Sequence, residues 1–83
     1  MSEIEMVAVD DIELEVMDTG GGLPPLVLVC GTAQDMRLFG PLVAALADDV
    51  RVITYNHRGI GASTSGEHPV TVDRMAEDLD GLL

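Results

Sequence analysis

Two stretches near the amino terminus alternate apolar and polar residues. They cover residues 4–9 and 12–17, and Asp10 and Asp11 lie between them. Alternation at every second position is typical of a strand with one buried and one exposed face, and the two aspartates can form the turn. The pattern therefore predicts an antiparallel hairpin at the start of the fold.

A different pattern follows the Gly- and Pro-rich segment of residues 19–25. Residues 26–30, LVLVC, are apolar at every position, and residues 50–55, VRVITY, form another run rich in β-branched residues. A continuous apolar run is typical of a strand buried on both faces, as in a parallel sheet covered by helices. We therefore predict two further strands, and we expect residues 26–30 to be buried on both faces.

A helix is predicted between these two strands. Its apolar face follows the spacing i, i+3, i+4 and i+7, and it consists of Phe39, Leu42, Val43 and Leu46. Pro41 is tolerated only in the first turn of a helix, so the helix should begin near Phe39. Strand, helix and strand with short connections form a βαβ unit, in which the two strands are parallel.

The remainder of the chain is predicted to be a loop followed by a helix. Residues 56–69 are rich in Gly, Ser, Thr and His. Thr71 can cap the following helix, and Asp73 lies near its positive end. The apolar face of that helix contains Val72, Met75, Ala76, Leu79 and Leu82. Residues 1–83 are therefore interpreted as one α/β unit.

Composition excludes several classes of partner. The formal net charge is −11, and the four basic residues, all arginines, are scattered along the chain. Nucleic acids and anionic membrane surfaces need a basic patch, so we expect neither as a partner. With 47% apolar residues the chain has the composition of a globular protein and not of a disordered acidic tail.

Cysteine usage and the amino-terminal pattern bear on the compartment. Cys30 is the only cysteine, so no internal disulfide can form, and no Cys/His spacing suits a metal site. The amino terminus lacks a basic segment followed by a long apolar run, which argues against a secretory signal. No stretch approaches the roughly 20 apolar residues that a membrane span needs. We expect a cytoplasmic protein with no metal and no cofactor.

One succession of motifs is more specific than these patterns. A strand runs up to Gly31 before a helix, the next strand leads to Asn56, and residues 58–63, RGIGAS, follow before an acidic and apolar helix. In this order the motifs resemble the amino-terminal part of an α/β-hydrolase-fold enzyme of the esterase, haloperoxidase and lactonase type. The resemblance covers nearly the whole chain, from the first hairpin to the last residue.

The resemblance implies roles for the turn after the first parallel strand. In that family a backbone N–H of this turn forms the oxyanion hole together with the N–H that follows the nucleophile. The matching residue is Thr32, and Gly31 before it lets the backbone approach the substrate closely. The alternative is a plain tight turn with Gly31 at positive φ. Met36 and Phe39, just past the turn, are candidates for lining the substrate pocket, although ordinary core packing explains them equally well.

Two residues depart from the family's pattern. Cys30 stands where a histidine usually precedes the glycine, and Asn56 stands where an aspartate is usual. A nucleophilic Cys30–His57 pair is conceivable. A small buried thiol is the commoner use of such a cysteine, so we expect Cys30 to be buried and inert. We expect Arg58 to tie the Gly-rich loop to acidic groups or carbonyls, because its guanidinium reaches several acceptors at once.

Gly59 and Gly61 also allow a dinucleotide-binding interpretation. That fingerprint needs a third glycine and a helix that opens at once, with the pyrophosphate at its amino end. Here the loop continues past Gly61 through several polar residues before the last helix begins. We therefore favour a tight Gly-rich loop that follows the strand.

The catalytic residues of the family are missing from this sequence. The family's nucleophile lies in a Gly-x-Ser-x-Gly elbow, followed by an acid and a histidine, and no such elbow occurs in residues 1–83. The resemblance implies that this chain supplies the oxyanion-hole turn and part of the pocket for acyl or ester hydrolysis of a small-molecule substrate. It also implies that a second polypeptide carries the nucleophile and the remainder of the fold. A non-hydrolytic or non-catalytic relative and a free-standing interaction domain are the alternatives.

Overall fold

The computed structural model describes residues 3–31, 33–67 and 69–83. Within these residues the elements follow in the order β1 (Glu3–Val9), β2 (Ile12–Asp18), β3 (Pro25–Val29), a 3-10 helix (Met36–Phe39), α1 (Gly40–Leu46), β4 (Arg51–Tyr55) and α2 (Val72–Leu82). Each strand and helix that the sequence predicts is present close to its predicted position.

The strands form one mixed sheet with the order β1-β2-β4-β3. β1 and β2 pair as an antiparallel hairpin, with Val9 opposite Ile12. β4 pairs antiparallel with β2 on one side and parallel with β3 on the other. The antiparallel hairpin, the βαβ unit and the following helix are therefore confirmed, and β3 lies at an edge of the sheet.

Capping residues determine where the helices begin. Asp35 has an extended backbone, and its side chain accepts a hydrogen bond from the Arg37 N–H at the start of the 3-10 helix. Pro41 lies in the first turn of α1, where its missing N–H has no intrahelical partner to lose. The Thr71 side chain accepts from the Arg74 N–H at the start of α2. The predicted helix starts are thus confirmed, and each follows from a residue that the sequence provides there.

The core lies between the sheet and α2. Its central cluster contains five buried side chains, which are Val9, Ile12, Leu14, Val16 and Tyr55. Leu79 and Leu82 of α2 pack against this cluster, together with half-buried strand residues. Burying one large apolar side chain stabilises a fold by about 1.5–3 kcal/mol, so this cluster is what holds α2 on the sheet.

The prediction that residues 26–30 are buried on both faces is wrong. Leu26 is 38% exposed and Val29 is 47% exposed, although Cys30 is buried. Among the described strands only β4 pairs with β3, so the other edge of β3 carries no partner there. Val72, the first residue of α2, is 77% exposed. Apolar residues therefore remain open where the fold has a free sheet edge.

Candidate active site

The candidate oxyanion turn connects β3 to the 3-10 helix over residues 30–35. The Gly31 N–H donates to Gln34 Oε1 at 2.9 Å, and the Gln34 N–H donates to Gly31 O at 3.2 Å. Thr32, to which the resemblance assigns the oxyanion N–H, lies outside the described residues. Its role therefore stays a prediction.

Gly31 provides space in this turn and not a left-handed backbone. The described residue of the turn with a positive φ is Ala33, at 64°, and Gly31 is not among the residues with positive φ. The alternative of a plain tight turn with Gly31 at positive φ is therefore wrong. A Cβ at Gly31 would lie 2.7 Å from Gln34 Oε1, so any side chain there must displace the carboxamide that closes the turn.

A groove opens beside the turn, between the carboxyl end of β3 and α2. Its volume is about 320 Å³, and its lining includes Cys30, Gly31, Tyr55 and His57 as well as apolar residues of β3 and α2. A second cavity of about 240 Å³ shares His57 and Met75 with it. A larger cavity of about 400 Å³ lies between the end of β2 and α1 and is lined by none of the candidate site residues. The groove and the second cavity, which Ala33 of the turn lines, therefore both adjoin the candidate site, and the groove is the larger of the two.

Two residues that line the groove each have a buried polar atom with no hydrogen-bond partner in the described part of the chain. These atoms are the Tyr55 hydroxyl and His57 Nδ1. His57 Nε2 lies 2.9 Å from Cys30 O, and because a carbonyl only accepts, Nε2 carries a proton. Burial raises the pKa of Tyr55 to about 12, so its hydroxyl stays a donor. Both atoms are themselves buried.

Cys30 is a buried thiol that does not pair with the His57 ring. Its Sγ lies 3.6 Å from Tyr55 O, whereas His57 contacts the main-chain oxygen of Cys30 and not its sulfur. Burial raises the pKa of the thiol, which disfavours the nucleophilic thiolate. The expected burial of Cys30 is confirmed, and the geometry contradicts a Cys30–His57 nucleophile.

Arg58 is fully buried and joins the Gly-rich loop to two other segments. Its guanidinium donates to both carboxylate oxygens of Asp78 in α2, each at 2.8 Å, and to Asp11 at the hairpin turn at 3.2 Å. It also lies 3.4 Å from the main-chain oxygen of Ser65. The hydrogen bonds to Asp78 and then to Asp11 raise the pKa of Arg58 against the opposing effect of burial. The predicted tie to acidic groups and a carbonyl is confirmed.

The two predicted pocket residues lie on the 3-10 helix. Met36 is fully buried, and its N–H donates to Asn56 Oδ1 at 2.6 Å. Phe39 is half-buried. Neither residue borders the groove or the second cavity, so their role in a substrate pocket stays a prediction.

Sequence reasoning missed Glu15, which lies at the centre of a buried polar cluster. One carboxylate oxygen accepts from Asn56 Nδ2 at 2.9 Å and from the Ala62 N–H at 3.0 Å, and the other accepts from Arg37 Nη2 at 2.8 Å. The hydrogen bond from Arg37, followed by that from Ala62, lowers the pKa of Glu15 to about 2. The alternating pattern of β2 carried no signal for this cluster, because it places Glu15 on the same face as the exposed Glu13.

Neither a membrane span nor a metal site occurs in the described ranges. No helix in them is long and apolar enough to cross a bilayer. No group of three or more His, Cys, Asp or Glu side chains in them is placed to hold a metal ion.

Solved structures share this architecture. The enol-lactonase from Burkholderia xenovorans LB400 matches with a TM-score of 0.85 and 33% identity, over 94% of this chain and 31% of that chain. A thermophilic esterase from Thermogutta terrifontis matches with a TM-score of 0.78 and 34% identity, over 96% of this chain and 30% of that chain. The chain therefore has the fold of the amino-terminal part of an α/β-hydrolase.

Relatives found by sequence comparison support the same assignment to the α/β-hydrolase superfamily. RutD of Agrobacterium fabrum, provisionally named a carbamate hydrolase, is 35% identical over 63 residues, which are 74% of this chain and 24% of that protein. AqdC2 of Rhodococcus erythropolis, named a 2-heptyl-3-hydroxy-4-quinolone dioxygenase, is 30% identical over 79 residues, which are 86% of this chain and 29% of that protein. No family model matches the chain. The chain is thus related to hydrolases of the α/β-hydrolase superfamily and spans less than a third of the length of these relatives.

Proposed function

We propose that this chain supplies the oxyanion-hole turn and one wall of the substrate pocket of an α/β-hydrolase-type enzyme that hydrolyses acyl or ester bonds. In this proposal the Thr32 N–H binds the oxyanion, and Gly31 keeps the space beside it open. The nucleophile, the acid and the histidine come from the remainder of the fold. The observation that carries the proposal is the position of the turn, which leaves the carboxyl end of β3 and borders the groove through Cys30 and Gly31.

The proposed chemistry follows from where negative charge develops. When a nucleophile attacks an ester carbonyl, the carbonyl oxygen gains charge, and an N–H aimed at it stabilises the transition state by roughly 2.7–4 kcal/mol. The names of the two structural relatives, a lactonase and an esterase, support a carbonyl–oxygen bond as the target. Met36 and Phe39 do not border the groove, and in this proposal they line a part of the pocket that the remainder of the fold completes. The partial exposure of Phe39 supports that role better than the full burial of Met36 does.

We also propose that a second polypeptide carries the remainder of the fold and adds a parallel strand to the free edge of β3. An edge strand presents unpaired N–H and C=O groups that another strand can pair with. A cytoplasmic location belongs to the proposal, since a lone cysteine suits a reducing compartment.

The completed protein, meaning this chain together with the polypeptide that carries the remainder of the fold, tests the proposed activity. We expect it to hydrolyse p-nitrophenyl acetate and short-chain lactones, with an initial burst of p-nitrophenolate if an acyl-enzyme accumulates. A folded, completed protein that turns over no aryl ester or lactone would contradict the proposed function.

A non-hydrolytic relative is the second candidate. The match to AqdC2, which is named a dioxygenase, favours it, and so do the departures at Cys30 and Asn56 from the pattern of the hydrolases. Oxygen uptake by the completed protein with 2-heptyl-3-hydroxy-4-quinolone separates the two candidates. Ester hydrolysis without oxygen uptake supports the hydrolase, and oxygen uptake without ester hydrolysis supports the second candidate.

A further inference from the structure

The buried side chains of Glu15 and Asn56 join the candidate oxyanion turn to the sheet. Asn56 uses both ends of its carboxamide: Oδ1 accepts from the Met36 N–H at 2.6 Å, and Nδ2 donates to Glu15 Oε1 at 2.9 Å. Glu15 reaches the same segment through Arg37, at 2.8 Å. We call these two side chains the Glu15–Asn56 pair.

The turn is fixed to the sheet at both of its ends. At its amino-terminal end Cys30 O accepts from His57 Nε2 at 2.9 Å. At its carboxyl-terminal end the contacts from Met36 and Arg37 both lead to the Glu15–Asn56 pair. The hydrogen bonds between these ends, such as the one from Gly31 to Gln34, stay within the turn. The pair therefore controls where the second half of the turn lies relative to β4.

We propose that the Glu15–Asn56 pair is a positioning pair, which holds the second half of the turn and the start of the 3-10 helix in place against the sheet and so supports the oxyanion-binding role proposed for the turn. This inference rests on the proposed function of the turn. Neither side chain touches the reacting atoms, since both act through the Met36 N–H and Arg37.

The pair needs one carboxylate and one carboxamide. The Met36 N–H requires an acceptor, whereas Glu15 already accepts hydrogen bonds and requires a donor, and a carboxamide at position 56 meets both needs. An aspartate there would bring two carboxylates into contact, and such a pair cannot ionise fully. The structure thus gives a physical reason for the departure at Asn56.

Gly61 lets the Gly-rich loop cover the pair. Its φ is 55°, and a Cβ at this position would overlap Asn56 Nδ2 and lie 2.7 Å from Glu15 Oε1. The neighbouring Ala62 N–H donates to the same Glu15 oxygen. The pair is therefore enclosed by backbone on the loop side, which leaves it little freedom to rearrange.

Substitution of Asn56 by aspartate gives the test a pH-dependent readout. The charged side chains facing the pair in the described structure are Arg37, which contacts Glu15, and Asp35, which Arg37 also contacts. In the native pair the low pKa of Glu15, about 2, keeps its charge constant between about pH 5 and 8. In N56D the two carboxylates raise the pKa of one of them above its unfolded value. That variant is therefore destabilised at high pH and recovers as the pH falls towards about 4.

The experiment compares N56D, E15Q and the double variant E15Q/N56D in the completed protein. At pH 8 we expect N56D to lower kcat about tenfold with little change in KM, and to speed amide exchange at Met36 by a similar factor. At pH 5 both effects should shrink, because a shared proton restores one hydrogen bond between the carboxyls. The double variant again has one carboxylate and one carboxamide and should recover part of the lost kcat at pH 8, although the carboxamide of E15Q that donates to the carboxylate of N56D no longer accepts from the Ala62 N–H.

Asp18→Asn is the matched control, because Asp18 is also a carboxylate bound to an arginine, with Arg51 Nε at 2.9 Å, but does not contact the turn. We expect it to leave kcat unchanged. A loss of kcat in N56D that is equal at pH 5 and pH 8 and is not relieved in the double variant would overturn the inference. If the completed protein lacks esterase activity, the proposed function fails. The positioning role is then tested by amide hydrogen exchange at Met36 alone, and an unchanged exchange rate in N56D at pH 8 overturns it.

Discussion

Glycine serves two different purposes near the candidate site. At Gly31 the backbone is not left-handed, and the missing side chain leaves room for the carboxamide of Gln34. At Gly61 the φ of 55° and the close approach to the Glu15–Asn56 pair both require glycine. The same residue type is therefore explained by space in the first case and by space together with backbone conformation in the second.

A pair of matched substitutions separates these two effects. Gly20 has a φ of 73°, and no atom lies within 4 Å of the position that a Cβ would take, so Gly20→Ala should cost about 1 kcal/mol from backbone conformation alone. Gly61→Ala adds a clash with buried polar groups and should cost about 2–4 kcal/mol. Urea unfolding of the completed protein measures both. If both variants lose the same free energy of unfolding, the loop at Gly61 does not pack tightly against the Glu15–Asn56 pair.

Arg58 should matter more for stability than for turnover. Arg58→Lys keeps the charge but loses the two parallel hydrogen bonds to Asp78, and we expect a loss of about 2 kcal/mol in the free energy of unfolding. Arg74→Lys is the control, because the guanidinium of Arg74 contacts only exposed carboxylates in the described structure. We expect this variant to change the free energy of unfolding by no more than about 0.5 kcal/mol. A hundredfold fall in kcat for Arg58→Lys at an unchanged melting temperature would assign Arg58 a different role.

At the scale of elements, β3 is the strand whose surroundings differ most from what its sequence suggests. Its run of apolar residues suits a central strand, yet it pairs only with β4 among the described strands. The observation fits a strand that receives a further neighbour in the completed protein, as the second part of the proposed function requires.

Lysine substitutions at two equally exposed strand residues test this arrangement. Val29 of β3 borders the groove and is 47% exposed, and Ile4 of β1 is 50% exposed at the opposite edge of the sheet. Val29→Lys would place an unpaired charge in the proposed interface and should weaken assembly with the second polypeptide at least about tenfold. Ile4→Lys should leave assembly unchanged. Sedimentation of the two co-expressed chains measures the effect, and equal assembly of both variants would argue against a partner strand at β3.

The strands and helices could be predicted because their signals are local. Alternation marked the hairpin, Pro41 fixed the start of α1, and Thr71 marked the cap of α2. The exposure of β3 could not be predicted in the same way, because it depends on the order of strands in the sheet. The burial of Glu15 was also hidden, since a loop distant in sequence covers a face that alternation assigns to solvent.

The candidate site was predicted less completely than the fold. Burial of Cys30 and the contacts of Arg58 followed from residue chemistry alone. The positive φ that the alternative interpretation of the turn places at Gly31 occurs instead at Ala33, and the sequence does not show which turn residue adopts it, because Gln34 folds back to bind the Gly31 N–H. The roles of Thr32, Met36 and Phe39 stay predictions that only the completed protein can test.

At the scale of the whole molecule, the chain is small for a stable unit whose β3 lies at an unpaired edge of the sheet among the described strands. A domain of this size buries only roughly 60% of the surface of its unfolded chain. The open edge of β3 and exposed apolar residues such as Val29 and Val72 further reduce the free energy that the chain gains by burying apolar surface. We therefore expect residues 1–83 expressed alone to aggregate or to melt without a cooperative transition, and co-expression of the second polypeptide to prevent this. A monodisperse monomer with a cooperative melt would instead support a free-standing interaction domain.

The central claim is that the turn after β3 supplies an oxyanion-binding N–H, and kcat of a Gly31→Val variant of the completed protein tests it most directly. Valine displaces Gln34 from the Gly31 N–H and so disturbs the turn, and we therefore expect kcat for p-nitrophenyl acetate to fall about 100-fold or more. Gly22→Val is the control, because no atom lies within 4 Å of a Cβ at Gly22 and its φ is not positive, and kcat there should stay at the wild-type value. A Gly31→Val protein that keeps the wild-type kcat would contradict the account.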